Sequence, residues 1–389
     1  MRIGIDARLL GVGYGIGRYI EQLLLHLLPL DTVNQYVIFL RPGIYLPDTL
    51  ETSRVQKVFT NIPWYSLQEQ IQFSSIIHKQ HVDLMHFPHW NIPLIYGRLF
   101  VVTIHDLTMF HYPRQDATTL SPGAYWLKDR VHRFVVIRVV KAARHIITTS
   151  EWTKHDLNKT LGVPLSKMTT IYQAPFFQND KLGISHPPLA GQSEIATKFG
   201  IIQPYVLYVG AAYPHKNLPC LLTAWAKVIE KTGNSYQLVL VGKIDQFYKK
   251  LRESIRQSDK ESISQLDIVF TDLVDDEMLS KLYTQASLFV YPSLSEGFGL
   301  PPLEALAHGV PVVASNRTSI PEILGKGALY VNSENIDELA DSIILALRNK
   351  DIRFLMQKNG KHELTRYSWN KTAEKTLLIY NCQLSINGN

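Results

Sequence analysis

The chain has 389 residues, enough for two domains of ordinary size. Hydrophobic residues make up 46% and charged residues 19%, a balance that excludes a disordered or low-complexity chain. Two cysteines, Cys220 and Cys382, are too few for a disulfide framework and fit no zinc or redox spacing.

No apolar run approaches the roughly 18 residues that a spanning helix needs. The start, MRIGIDARLL, carries Asp6 and Arg8 where a signal peptide would be apolar. A cytoplasmic protein is therefore expected. The formal net charge of +6 is uneven: residues 1–180 hold 18 Lys+Arg against 13 Asp+Glu, and the remainder 22 against 21.

Short β-branched runs alternate with helical patterns along the whole chain. In the first half, strands are predicted at Arg2–Asp6, Tyr36–Leu40, Val82–His86, Phe100–His105, His145–Thr149 and Met168–Tyr172. Most are continuously apolar, as parallel strands covered on both faces must be. Ile16, Ile20, Leu23, Leu24 and Leu27 recur at helical spacing, with Pro29 closing that helix.

Before this helix lies Gly11-Val-Gly13-Tyr-Gly15-Ile-Gly17-Arg18, a loop able to cradle phosphate. It does not fit G-x-G-x-x-G, and no acid ends the second strand, so a dinucleotide site is disfavoured. His105-Asp106 ends a strand, where His105 could touch a ligand or sit hydrogen-bonded at the core edge; His86, Pro88 and His89 end the strand before it.

The segment Trp126–Ile146 concentrates Lys128, Arg130, Arg133, Arg138, Lys141 and Arg144 against Asp129. Val131, Phe134, Val135, Val139 and Ala142 give it an apolar side. The plain reading is a domain helix with that side buried; the sharper one is a helix resting on an anionic membrane.

Residues Gln178–Ile202, with Gly183, Pro187, Pro188 and Gly191, read as the link between halves. The halves are placed at 1–185 and 200–365, with a C-terminal helix over about 366–389 expected to cross back to the first. In the second half, strands are predicted at Tyr205–Gly210, Gln237–Gly242, Asp267–Thr271, Leu288–Tyr291, Pro311–Ser315 and Ala328–Val331. Asn217 and Asp275 read as helix N-caps, with Pro219 in the first turn after Asn217. Two doubly wound α/β domains follow, with ligands expected beyond the strand C-termini.

The most informative segment is Tyr291-Pro-Ser-Leu-Ser-Glu296-Gly-Phe-Gly-Leu-Pro-Pro-Leu-Glu304, which runs on to Gly309. It leaves a buried strand and enters a helix through Pro301 and Pro302. Gly297 and Gly299 let the backbone approach a ligand, and the amides of Phe298, Gly299 and Leu300 are expected to face it. Glu296 on the loop and Glu304, read as a first-turn residue, can each bind sugar hydroxyls through charge-assisted hydrogen bonds. Lys216, in the loop after Gly210, can stabilise a diphosphate leaving group.

This segment resembles the Glu-x7-Glu signature of retaining glycosyltransferases of family 4 (glycosyltransferase group 1), which have the two-domain GT-B fold. Asp6-Ala-Arg-Leu with its glycine-rich loop, Ile104-His105-Asp106-Leu107, Thr149-Ser150-Glu-Trp, Val209-Gly210 with Lys216-Asn217-Leu218, and Tyr367-Ser-Trp369 stand in the expected order. The resemblance implies two Rossmann-like doubly wound domains facing a cleft. It implies transfer of a hexosyl group from a nucleoside-diphosphate sugar to an acceptor hydroxyl, with retention, in bacterial polysaccharide synthesis.

By resemblance, Glu296 contacts the transferred sugar, Glu304 the ribose, Lys216 the diphosphate, and the amides of Gly297 to Leu300 the sugar hydroxyls and phosphate. Gly15, Gly17 and Gly210 belong to the donor site, the backbone of Thr271 and Leu273 meets the base, and His105 is a catalytic residue that touches the sugar or helps place the acceptor. His215 stands where the family often has Arg. No metal or other cofactor is expected. UDP-glucose and GDP-mannose are the leading donors, UDP slightly ahead, and the acceptor is a growing or lipid-linked saccharide.

A cofactor-free nucleotide-sugar epimerase and a non-catalytic glycan- or nucleotide-binding protein are the rival readings. Nucleic acid is not expected as a partner, because no recognition motif accompanies the basic segment.

Overall fold

The computed structural model describes residues 1–11, 15–64, 66–113, 121–176, 192–202, 204–233, 235–257 and 267–385. The linker reading at Gln178 to Gly191 and Gly13 of the glycine-rich loop lie outside them. The chain divides into two compact units, one comprising residues 1–110, 120–174 and 368–389, the other 111–119 and 175–367.

The first unit contains β1 (Arg2–Asp6), α1 (Ile16–Leu30), β2 (Gln35–Leu40), β3 (Val55–Phe59), α2 (Ser74–Lys79), β4 (Leu84–Phe87), β5 (Phe100–Ile104), α3 (Thr108–His111), α4 (Pro122–Ala142), β6 (His145–Thr148), α5 (Glu151–Leu161) and β7 (Met168–Thr170). The second runs α6 (Gln192–Phe199), β8 (Tyr205–Val209), α7 (Leu218–Thr232), β9 (Gln237–Val241), α8 (Gln246–Gln257), β10 (Ile268–Asp272), α9 (Asp276–Gln285), β11 (Leu288–Tyr291), α10 (Leu300–Ala307), β12 (Val312–Ser315), α11 (Ile320–Leu324), β13 (Ala328–Val331), α12 (Ile336–Arg348) and α13 (Lys350–Leu364). The chain then returns to the first unit as α14 (Trp369–Ser385).

Each unit holds one all-parallel sheet. The orders are β3-β2-β1-β4-β5-β6-β7 and β10-β9-β8-β11-β12-β13. Both are doubly wound, reversing direction between β1 and β4 and between β8 and β11, where such sheets open a crevice at their carboxyl ends. Strands such as Tyr205–Val209 and Gln237–Val241 are buried throughout because helices cover both faces.

The structure adds β3 to the six strands read in the first half. Its sequence, VQKVF, is an edge strand with partly exposed residues, so it lacks the continuous apolar run that marks the others. Pro29 sits inside the last turn of α1 rather than ending it.

α14 closes the first unit as the sequence predicts. Tyr380 hydrogen-bonds His86 at 2.5 Å, and Thr372 donates to the Tyr172 carbonyl at 2.7 Å. His86 is therefore a fully buried tie between the sheet and α14, with its other ring nitrogen on Thr103.

Candidate active site

Two loops leave the strands that flank the switch point of the second sheet. The first follows β8. Gly210 hydrogen-bonds the carbonyl of Val241, and its own carbonyl accepts the Tyr248 hydroxyl at 2.8 Å. Gly242, at the end of β9, has to be glycine: an added Cβ would lie 2.1 Å from the Gly210 carbonyl oxygen. The loop then makes one 3-10 turn, Pro214–Lys216, and enters α7 through Asn217.

Asn217 departs from the N-cap reading. It takes a left-handed conformation (φ 59°), and its side chain donates to the carbonyl of Ser333 at 2.7 Å instead of capping α7. Asn217 thereby ties the Lys216 loop to the end of β13. Asp275 does cap its helix, accepting the Met278 amide at 2.8 Å.

The second loop follows β11 and ends at Gly299, whose φ of 93° suits glycine alone and opens α10. The Glu296 amide donates to Thr318 Oγ1 at 3.0 Å, and Ser319 Oγ donates to the Glu296 carbonyl at 2.9 Å. The Leu294 amide donates to the His215 carbonyl at 2.7 Å, joining the two loops.

Here the structure brings Lys216 and Glu296 together. Lys216 Nζ lies 2.6 Å from Glu296 Oε1 and 3.1 Å from the Tyr291 hydroxyl. Tyr291 donates to the same Oε1 at 2.8 Å, and Ser293 adds a third hydrogen bond to it. Oε2 has no partner among the described residues. Burial works against the Glu296 charge. The charges of Lys216 and His215, with hydrogen bonds from Lys216 and Ser293, outweigh it and hold the carboxyl below the usual range.

Glu304 is buried and belongs to the second turn of α10, not the first, because the helix begins at Leu300. The hydroxyl of Tyr283, on α9, donates to Glu304 Oε2 at 3.1 Å and to the Pro301 carbonyl at 3.2 Å. Gly297, Phe298 and Gly299 are buried. The Phe298 ring packs edge-on to Tyr367 with centroids 5.9 Å apart, so only its backbone is suited to a ligand.

Thr271 lies within β10 and donates to the Asp272 carbonyl, while Leu273 follows the strand and is exposed. His215 is buried beside Tyr213, with ring centroids 5.9 Å apart.

The remaining predicted residues belong to the first unit. Gly15 is exposed, has φ 93° and starts α1, whereas Gly17 is buried inside that helix. His105 is engaged at both ring nitrogens: Nε2 donates to the Pro88 carbonyl at 2.9 Å, and Nδ1 accepts Gln173 Nε2 at 3.2 Å. Burial lowers its pKa, so the ring is neutral. That is the hydrogen-bonded core-edge arrangement. Its carbonyl also accepts the hydroxyls of Thr149 and Thr153, which fix the turn into α5.

Sequence reasoning missed Tyr291, Ser293, Thr318 and Ser319. Tyr291 and Ser293 stand in the motif itself, but nothing in their spacing shows that both point at one carboxylate oxygen. Among the described residues no group of three or more His, Cys, Asp or Glu could hold a metal ion.

A doubly wound sheet in each unit, with an acid–base pair across the second switch point, defines the class as two-domain α/β enzymes of the GT-B fold. Solved structures agree over nearly the whole length. Sucrose-phosphate synthase from Thermosynechococcus elongatus has a TM-score of 0.75 at 21% identity, covering 99% of both chains. WaaG, a glycosyltransferase involved in lipopolysaccharide biosynthesis, has a TM-score of 0.71 at 14% identity, covering 97% of this chain and 98% of its own.

The family profile Glycosyltransferase Family 4 matches residues 14–174, and Glycosyl transferases group 1 matches residues 193–363. Between them they span most of the chain, which belongs to this family of glycosyltransferases. Among its relatives, O-antigen chain mannosyltransferase B of Escherichia coli is 29% identical, over 76% of this chain and 74% of its own. O-antigen chain mannosyltransferase RfbU of Salmonella typhimurium is 27% identical, over 79% and 78%.

Proposed function

We propose that the chain transfers a hexosyl group from a nucleoside-diphosphate sugar to an acceptor hydroxyl on a growing or lipid-linked saccharide, with retention, in polysaccharide biosynthesis. The observation that carries this reading is the Lys216–Glu296 pair at the switch point of the second sheet. Glu296 Oε2 would accept a hydroxyl of the transferred sugar. A donor diphosphate would draw Lys216 toward its developing negative charge, aided by the N-terminal end of α10.

Retention need not pass through a covalent sugar–enzyme bond. Glu296 Oε1 already takes three donors, an arrangement better suited to binding than to nucleophilic attack. We favour a front-face route, in which the departing phosphate oxygen takes the acceptor proton while Lys216 stabilises the diphosphate. No metal is invoked, and turnover is expected to persist in a chelator.

The two O-antigen relatives are named as mannosyltransferases, which moves the preferred donor from UDP-glucose to GDP-mannose. Thermal-shift titration with UDP, GDP, UDP-glucose and GDP-mannose tests this, because a bound ligand raises apparent stability. The product's anomeric configuration tests retention. Glu296→Ala should cut turnover about 100-fold or more with melting little changed; turnover at the wild-type rate would remove Glu296 from the reaction.

A lipid-linked acceptor fits the surface of α4. No helix among the described residues is long and apolar enough to cross a membrane. The buried stripe of α4 is Val136, Val139 and Val140, followed by Ala143 just beyond the helix; Val131 and Phe134, expected inside, are more than half exposed. With Trp126 and Leu127 they share the outward face with Arg130, Arg138 and Lys141. Arg133 is instead engaged with Asp129 and the Phe110 carbonyl. This face suits an anionic membrane. Charge reversal at Arg130 and Arg138 should abolish co-sedimentation with anionic vesicles, and equal binding would discard the contact.

A further inference from the structure

Tyr291 and Ser293 are the last strand residue of β11 and the second residue after it, so the strand end itself aims both hydroxyls. Tyr291 is buried, its ring stacked between Tyr208 and Phe289 at centroid distances of 6.2 and 6.0 Å. The ring therefore has one packed orientation, and its hydroxyl one position.

That hydroxyl performs two tasks. It accepts from Lys216 Nζ at 3.1 Å and donates to Glu296 Oε1 at 2.8 Å, closing a triangle whose third side is the 2.6 Å ion pair. Ser293 donates to the same oxygen from the other loop position. A carboxylate has two oxygens that exchange by rotation, and either could face the ligand. Three donors on Oε1 remove that freedom, leaving Oε2, which lacks a partner among the described residues.

We propose that Tyr291 and Ser293 are positioning residues that fix which oxygen of Glu296 meets the transferred sugar and hold Lys216 beside it. Tyr291 is suited to this because a hydroxyl can accept from the ammonium and donate to the carboxylate at once. Burial and the neighbouring Glu296 charge raise its pKa well above the ordinary value, so it keeps its proton throughout the working range. When a donor arrives, Lys216 can turn to the diphosphate while Tyr291 and Ser293 still hold Glu296.

The inference rests on the donor-site reading given above. Its test compares wild type, Tyr291→Phe and Ser293→Ala in glycosyl transfer across pH, with melting temperature measured for each. Tyr291→Phe keeps the ring packing and removes only the hydroxyl. Each variant should lose about 10- to 100-fold in kcat/KM, as expected for a lost hydrogen bond to a charged group. The acid limb of the profile should move to higher pH, because the Glu296 carboxylate has lost a donor that stabilised its charge. A merely structural role would lower activity in step with melting and leave the acid limb in place.

Rates within about twofold of wild type with an unmoved acid limb would overturn the proposal. So would a loss explained by melting in both variants. A wild-type protein that neither binds nor turns over UDP-glucose or GDP-mannose would overturn the donor-site reading and this inference with it.

Discussion

Both units place an ion pair just beyond a strand at a switch point, but the two pairs are built differently. In the first unit Arg8, fully buried, follows β1. It donates to both oxygens of Asp6 at 2.8 Å and to Glu69 at 2.6 Å, and lies 3.6 Å from the Phe73 ring centroid. Asn91 adds a hydrogen bond to Glu69. In the second unit Lys216 and Glu296 keep 14% and 12% of their side chains exposed, and one carboxylate oxygen lacks a protein partner among the described residues. The first cluster is closed to solvent, with Arg8 Nη1 left without a partner inside it, whereas the second stays partly open to a ligand. Neither position at a switch point nor an unpartnered polar atom is therefore enough to mark a site, and residual exposure is what separates the two.

The largest effect that could break this contrast is structural. Arg8→Met should destabilise the first unit by about 3–5 kcal/mol, because Asp6 and Glu69 would be left buried without their cation. Hydrogen exchange resolved by unit reads this better than a single melting temperature, since two units need not unfold together. Exchange in β1 and α2 at the wild-type rate would mean that the cluster contributes little to the fold.

Next in size is Lys216→Ala. Turnover should fall on the order of 100-fold, about 3 kcal/mol of transition-state stabilisation. Stability should change much less, because Tyr291 and Ser293 still hold Glu296 and the carboxyl can protonate. A fall in stability matching the loss of turnover would erase the distinction between the two pairs.

Much of this was readable in advance. Twelve strands and the doubly wound class follow from apolar runs and their spacing, because buried parallel strands leave a strong local signal. The return of the C-terminal helix rests on contacts some 200 residues apart, which spacing does not record. β3 escaped because an edge strand need not be apolar. Asn217 was misread because its side chain is claimed by Ser333, more than a hundred residues away, and no local pattern records such a partner. Glu304 was placed one turn early because the helix start is set by Gly299, whose left-handed φ is invisible in composition. The motif named Glu296, but the convergence of three donors on one of its oxygens depends on two loops meeting.

Acid should act on the units unequally. His86 is held neutral in the fold, with a pKa lowered to about 3 by burial. Burial also lowers His89, His105, His132 and His145 in the first unit, and His308 in the second. A histidine depressed in the fold takes up its proton more readily when unfolded. The stability from neutral His86 is thus complete above about pH 6.5 and declines as pH falls toward 3, by about 1.4 kcal/mol per pH unit. The first unit should open first on acidification. Exchange data showing the second unit opening at higher pH would contradict this ordering.

The smallest effect concerns His215, where the family often carries arginine. Its ring is buried, and its charge is one of the influences that lower the Glu296 pKa. His215→Arg would supply that charge permanently, since the guanidinium stays protonated. The larger side chain has to find room, and overpacking costs about 1–3 kcal/mol of stability. Turnover should therefore stay within about threefold of wild type or rise, with the acid limb moved to lower pH. Because Tyr291→Phe is expected to move the same limb upward, the two variants pull Glu296 in opposite directions. A limb that moved the same way in both would mean that some other group sets it.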